Sequence, residues 1–323
     1  MNPFLSQIYL WTDRFSRVAS ASMIALLVIL HFFGYQIPLS VQVAIALISL
    51  LIGIPHGAID HLIAVPQNPK SRFYLFIAIY VLVAVAAGWV IASWNTCGFI
   101  AIVVMSSLHF GFGDASFANE WCDARGMPRY SRIVEIMYAL PAGLLPVVLP
   151  LTDVRATKAL KRIHPSLSDW AGSNIGLLRD LVFALTIAAL AVLVVTHSWQ
   201  LLIDLALLLV LAILAPPLIT FALYFGCWHA TRHTARLVPK LAGADELARV
   251  GSPGAAIWAA IYPGLYAVVG VLIVAIGLLL MRPAQFGSSL LWSALVIVWA
   301  LTVPHMAITS RFDLRALSPT RFL

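Results

Sequence analysis

Charge is what this 323-residue chain has least of. Asp, Glu, Lys and Arg make up 10% of it while 62% is hydrophobic, whereas a soluble domain carries about a quarter charged residues. A water-soluble enzyme and an extended disordered segment are both excluded. Cysteine is scarce as well. Cys97, Cys122 and Cys227 form no CxxC pair, so neither a disulfide framework nor a thiolate metal site is expected. HExxH is missing, which argues against a zinc metalloprotease. No repeat or low-complexity tract is present. The net charge of +7 is spread over loops and termini. That pattern fits membrane orientation and anionic headgroups, and no nucleic-acid partner is expected.

Long apolar runs fill the space that charge leaves. Several are about 20 residues long, enough to cross a hydrocarbon core as helices. The fold class is therefore all-α, a polytopic integral membrane bundle forming one domain over residues 1–323. The candidate spans are 18–36, 39–65, 72–93, 97–117, 132–150, 179–197, 199–236, 255–281 and 288–310. Residues 20–35 lack a following small-residue cleavage site and read as a retained span. The range 199–236 would be about 57 Å long as one helix, far more than a bilayer core of about 30 Å, and Pro216-Pro217 should break it. The range 132–150 holds Pro141, Pro146 and Pro150 and reads as a span or a re-entrant piece. The count is eight to ten, with ten preferred because helix length is the harder constraint. The basic residues between spans (Lys70, Arg72, Arg125, Arg129, Arg132, Arg236, Lys240, Arg249) and in the tail (Arg311, Arg315, Arg321) place those loops and both termini in the cytoplasm. The setting expected is the cell's inner (plasma) membrane.

Four histidines interrupt these apolar runs: His56 in IGIPHGAIDH, His109 in SSLHFGFGD, and His229 and His233 in YFGCWHATRH. Ionisable groups at such depth are costly and mark function. Under an even span count all four fall toward the cytoplasmic ends of their spans. His229 and His233 are four apart, which puts both rings on one helical face, one turn apart. The four are read as one metal site, with Zn, Cu, Fe and Ni all suited to imidazole. Four separately satisfied core histidines would each need a buried partner of their own. An all-imidazole shell leaves the ion's charge uncompensated, so carboxylates are sought nearby. Asp60 is four residues after His56 and so on the same helical face, and Asp114 is five after His109. His305, after Pro304, is expected to line the cavity or the substrate side. Tyr224 and Trp228 line it too, and His61 is a reserve ligand. His31, His164 and His197 are assigned no part. Phe110, Phe112 and Phe225 crowd the same segments, as Gly57, Gly111, Gly113 and Gly226 do. Such a lining suits a long apolar, conjugated ligand.

Taken in order, PHGAIDH, LHFGFGD, YFGCWHATRH and VPHM resemble the Brp/Blh family, membrane-embedded β-carotene 15,15'-dioxygenases of microbes that make retinal for rhodopsins. The resemblance runs from about residue 45 to 310. It implies iron(II), Fe(2+), held by His56, His109, His229 and His233. It also implies cleavage of the central double bond of β-carotene by O2 to two molecules of all-trans-retinal, with a functional link to a rhodopsin. Residues 1–35 and the loop 151–179 have no counterpart in it. Three other readings stand beside this one. A membrane di-iron desaturase would need about eight histidines in three boxes. A haem protein would need only two. A carotenoid-binding or rhodopsin-assembly factor would have kept the site and lost turnover.

Overall fold

The computed structural model describes residues 3–64, 69–281 and 288–317; Arg321 lies outside them. Among these the chain is almost entirely helical, with no strand. The helices are α1 (Pro3–Phe32), α2 (Leu39–Ala58), α3 (Asp60–Ala64), α4 (Lys70–Ser93), α5 (Asn95–Arg125), α6 (Arg132–Leu151), α7 (Val154–Ile163), α8 (Ile175–Val195), α9 (Trp199–Leu214), α10 (Pro217–Leu223), α11 (Ala230–Leu237), α12 (Ala242–Arg249), α13 (Pro253–Ile261), α14 (Leu265–Met281) and α15 (Ser288–Ala316). The protein is a polytopic helical membrane bundle, and among the described residues eight stretches of helix are long and apolar enough to cross a membrane.

The two uncertain regions resolve differently. Residues 132–151 form one continuous helix despite three prolines, and it is the most buried of the eight candidate spans. A re-entrant piece is thus not what forms there. Neighbouring helices, not water, surround the backbone that prolines leave unbonded. In 199–236 the chain breaks at Ala215-Pro216, as the Pro-Pro pair requires. The 16 residues of α9 end there, short for a span. The stretch after the break is α10, a π-helical segment Tyr224–His229, and α11.

Helices α5 and α6 form the centre of the bundle. Ser107 and Gly111 on α5 face Ala139 and Gly143 on α6. A side chain at Gly111 would run into the Ala139 carbonyl, and one at Gly143 into the Ser107 carbonyl. Small residues four apart on both helices let the backbones touch, the usual way lipid-embedded helices associate. Around this pair α8 and α9 pack on α6, α15 packs on α4 and α5, and α2 packs on α10. The region 151–179 is an amphipathic helix, α7, with Asp153 capping its first turn, followed by two 3-10 turns.

The first helix begins at Pro3, some fifteen residues before the apolar run that marks the span. Its early part carries Asp13 and Arg17, yet Thr12, Asp13 and Ser16 are buried. Tertiary partners, described below, neutralise those charges and let the helix extend.

Candidate functional site

Five imidazoles meet inside the bundle. They come from four places: His56 near the end of α2, His109 in the middle of α5, His229 and His233 on the π segment and α11, and His305 in α15. Each is at most 8% exposed. The centre of the His56 ring lies 5.5 Å from His229, 5.0 Å from His233 and 5.4 Å from His305. His109 lies 4.9 Å from His229, 6.4 Å from His233 and 5.4 Å from His305. His229 and His233 are 5.9 Å apart, and His233 and His305 5.6 Å. The structure therefore brings the sequence's four histidines into one cluster and adds His305 as a full member. His61 stays outside, its ring 6.1 Å from Phe73. His164 is bonded to Ser166 at the surface.

The cluster is short of hydrogen-bond partners. His56 Nδ1, His229 Nε2, His233 Nδ1 and His305 Nε2 are all buried with none. Burying one such group unpaired costs about 1–3 kcal/mol, and here four share one small volume. Two rings do have a partner. The Asp60 carboxylate accepts from His305 Nδ1, at 2.9 and 3.0 Å to its two oxygens. Thr309 Oγ1 stands 3.2 Å from His109 Nδ1 and donates to the His305 carbonyl one turn back. Phe110, 4.5 Å from His229, and Phe225, 5.9 Å from His56, wall the cluster with apolar rings.

Both carboxylates proposed from the sequence are buried, but neither meets the histidine that suggested it. Helix α2 stops at Ala58 and Ile59 is its cap, so Asp60 opens α3 and turns to His305 instead of sharing a face with His56. Tyr80 adds a hydrogen bond to it at 3.3 Å. Asp114 accepts from Tyr224 Oη at 2.9 Å and Trp228 Nε1 at 3.0 Å, not from His109. Tyr224 and Trp228 stand four apart on the π segment, whose wider turn brings them almost into register toward one acceptor. Asp114 thus fixes the segment that carries His229.

Residues 47–313 match the family model described as "Beta-carotene 15,15'-dioxygenase". The chain belongs to the beta-carotene 15,15'-dioxygenase family. It is a carotenoid-cleaving oxygenase. It is also similar to the probable beta-carotene 15,15'-dioxygenase Blh of Halobacterium salinarum, at 29% identity over 302 residues, covering 82% of each chain. No solved structure matches. The region shared with the family contains all five rings together with Asp60 and Asp114.

Two ionic clamps escaped the sequence reading. Between His229 and His233, Arg232 points the other way. It is 2% exposed and bonds Asp204 at 2.9 Å, Asp13 at 3.0 Å and Ser16 at 3.2 Å. Its guanidinium lies 3.9 Å from the centre of the Trp228 ring. Arg17 closes the network on the same two carboxylates. One turn beyond His233, Arg236 binds Glu120 of α5 at 2.9 Å and Asp313 of α15 at 2.8 Å. Arg236 is therefore not one of the free loop charges that orient the chain; it ties together three helices that carry rings. The clue available in sequence to the first clamp was Asp204, a lone acid in the otherwise apolar run of α9.

A groove of about 530 Å³ lies between α5, α6 and α8 and is lined by Val103, Ser107, Leu108, Leu144, Trp170 and Leu178 among others. Ile100 on its rim is nine residues from His109, two and a half turns, so the groove occupies the opposite side of α5 from the rings.

Proposed function

We propose that the imidazole cluster holds one ferrous ion and that the protein uses it, with O2, to split the 15,15' double bond of β-carotene into two molecules of all-trans-retinal. The observation that carries this is the spacing of the rings. Imidazoles bound to one ion at about 2.1 Å have centres about 3.2 Å from it, and hence about 5 to 6.5 Å from one another. The contacts among His56, His109, His229 and His233 span 4.9 to 6.4 Å. Unpaired, buried nitrogens on three of those four add to the fit. Among the described residues, no three His, Cys, Asp or Glu side chains have their donor atoms already gathered at one point. The backbone sets ring spacing, whereas the His χ2 torsion is broad and soft, so spacing is the firmer guide.

Iron bound there would supply the activation of dioxygen, and imidazole is a suitable ligand for it. The reaction places one oxygen atom in each retinal and needs no outside reductant. The chain's own task is to hold the polyene so that only its middle bond reaches the centre. Phe110, Phe225 and the other aromatic rings beside the cluster exclude water and offer a conjugated chain flat apolar surfaces. The substrate dissolves in lipid and reaches a membrane-embedded site without crossing water. We place the protein in the cell's inner (plasma) membrane and link its product to a rhodopsin.

Expression in β-carotene-producing cells tests the function. Loss of orange pigment with formation of retinal supports it. Unchanged pigment with the protein present in the membrane refutes it and leaves a carotenoid-binding role.

A further inference from the structure

We infer that His305 is a fifth ring ligand of this centre and that Asp60 is the residue that positions it. The inference rests on the metal reading above and deepens it. His305 has ring contacts at 5.4, 5.4 and 5.6 Å with His56, His109 and His233, the same spacing that the other four show among themselves. Nothing in the geometry separates it from them.

The hydrogen bonds of His305 set it apart in the other direction. A carboxylate has only acceptors to offer, so Asp60 fixes the proton on Nδ1 and leaves the lone pair on Nε2. That Nε2 is buried with no partner. A histidine kept for packing alone has no use for a carboxylate that sharpens the basicity of a nitrogen with nothing to bind. A ring that binds a cation does: metal-bound histidines almost always donate their second nitrogen to a carboxylate, carbonyl or water, which sets ring orientation and strengthens the ligand. Among the five rings, His305 is the one for which the structure shows a carboxylate in that place.

Charge points the same way. Four neutral imidazoles would leave a dication with its full charge among apolar helices. Asp114 does not offset it directly, since its bonds go to Tyr224 and Trp228. Asp60, 2% exposed and steadied by Tyr80, delivers a negative charge to the cluster through His305. Thr309, one turn after His305, reaches His109 Nδ1, so α15 contributes to the orientation of two rings at once.

The test uses the full chain in detergent, stripped of metal and titrated with Co(II), whose visible d–d bands report its ligands. Wild type should bind one Co(II). His305→Ala should bind about 10–100-fold more weakly with shifted bands, and added imidazole should restore the wild-type bands. Asp60→Asn should weaken binding about 10-fold and shift the bands, while Asp60→Glu should recover part of the loss. Should the alanine variant fail to fold, His305→Gln, whose amide can still donate to Asp60, gives the same reading. Wild-type affinity and bands in the His305 variants would overturn the fifth-ligand assignment and leave His305 a wall of the cavity. Wild-type behaviour in Asp60→Asn would overturn the positioning role. A wild-type chain that takes up no Co(II) would overturn the metal reading itself.

Discussion

Gly143→Ala is the sharpest probe of how the fold holds the site. A Cβ at Gly143 would fall more than an ångström inside the 3.0 Å that such atoms keep from their neighbours, and the atom it meets is the Ser107 carbonyl, which belongs to rigid helix. A backbone cannot turn aside as a flexible side chain can, so α5 and α6 must separate by about that distance. Overpacking of this kind costs about 1–3 kcal/mol. The larger effect falls on catalysis, because His109 sits two residues beyond Ser107 on the helix that must move. A misplacement of about 1 Å costs on the order of 100-fold in rate. Gly270→Ala, on a part of α14 where a Cβ meets nothing within 4 Å, serves as the control and should be neutral or stabilising by about 0.4–1 kcal/mol. The assay is retinal formed per unit of membrane-inserted protein in β-carotene-producing cells, beside thermal unfolding in detergent. Full activity and stability in Gly143→Ala would show that the α5 and α6 backbones do not touch at this point.

Three further outcomes are expected. Arg232→Met should destabilise the protein by about 3–5 kcal/mol, because it leaves the buried Asp13 and Asp204 carboxylates side by side with only Arg17 shared between them; a thermal midpoint equal to wild type would contradict the clamp. Tyr224→Phe removes one of the two donors to Asp114 and should cost about 1–3 kcal/mol, whereas the same stability in wild type and variant would mean the pair does not form. His164→Ala should leave retinal formation unchanged, since that ring bonds Ser166 away from the cluster, and a large loss would mean the site extends to the surface loop.

The parts of this protein that could be read from sequence are those set by local chemistry. Pro216-Pro217 breaks a helix wherever it stands, so the break was visible. Histidines inside apolar runs are rare enough that His56, His109, His229 and His233 stood out, and the structure collects their rings. Partner choice was another matter, because it depends on how helices pack. Asp60 appeared to share a face with His56 only if α2 continued unbroken, but the helix stops at Ala58 and the carboxylate turns to a residue 245 positions away. Arg236 resembled a loop cation until Glu120 and Asp313 came up beside it. The start of α1 was hidden for the same reason: Asp13 and Arg17 look like the end of an apolar run, and only Arg232 and Asp204 on distant helices explain how Asp13 is buried and Arg17 paired. The π segment left no signature short of the structure, although it sets how Tyr224 and Trp228 reach Asp114.

Elemental analysis of the purified chain tests most directly whether one ion sits among these rings. Wild-type protein is expected to carry one iron per chain with no haem Soret band. His56→Ala, His109→Ala, His229→Ala and His233→Ala are each expected to lose both the iron and retinal formation. Active protein free of iron, or a full complement of iron retained after any of those four substitutions, would contradict it.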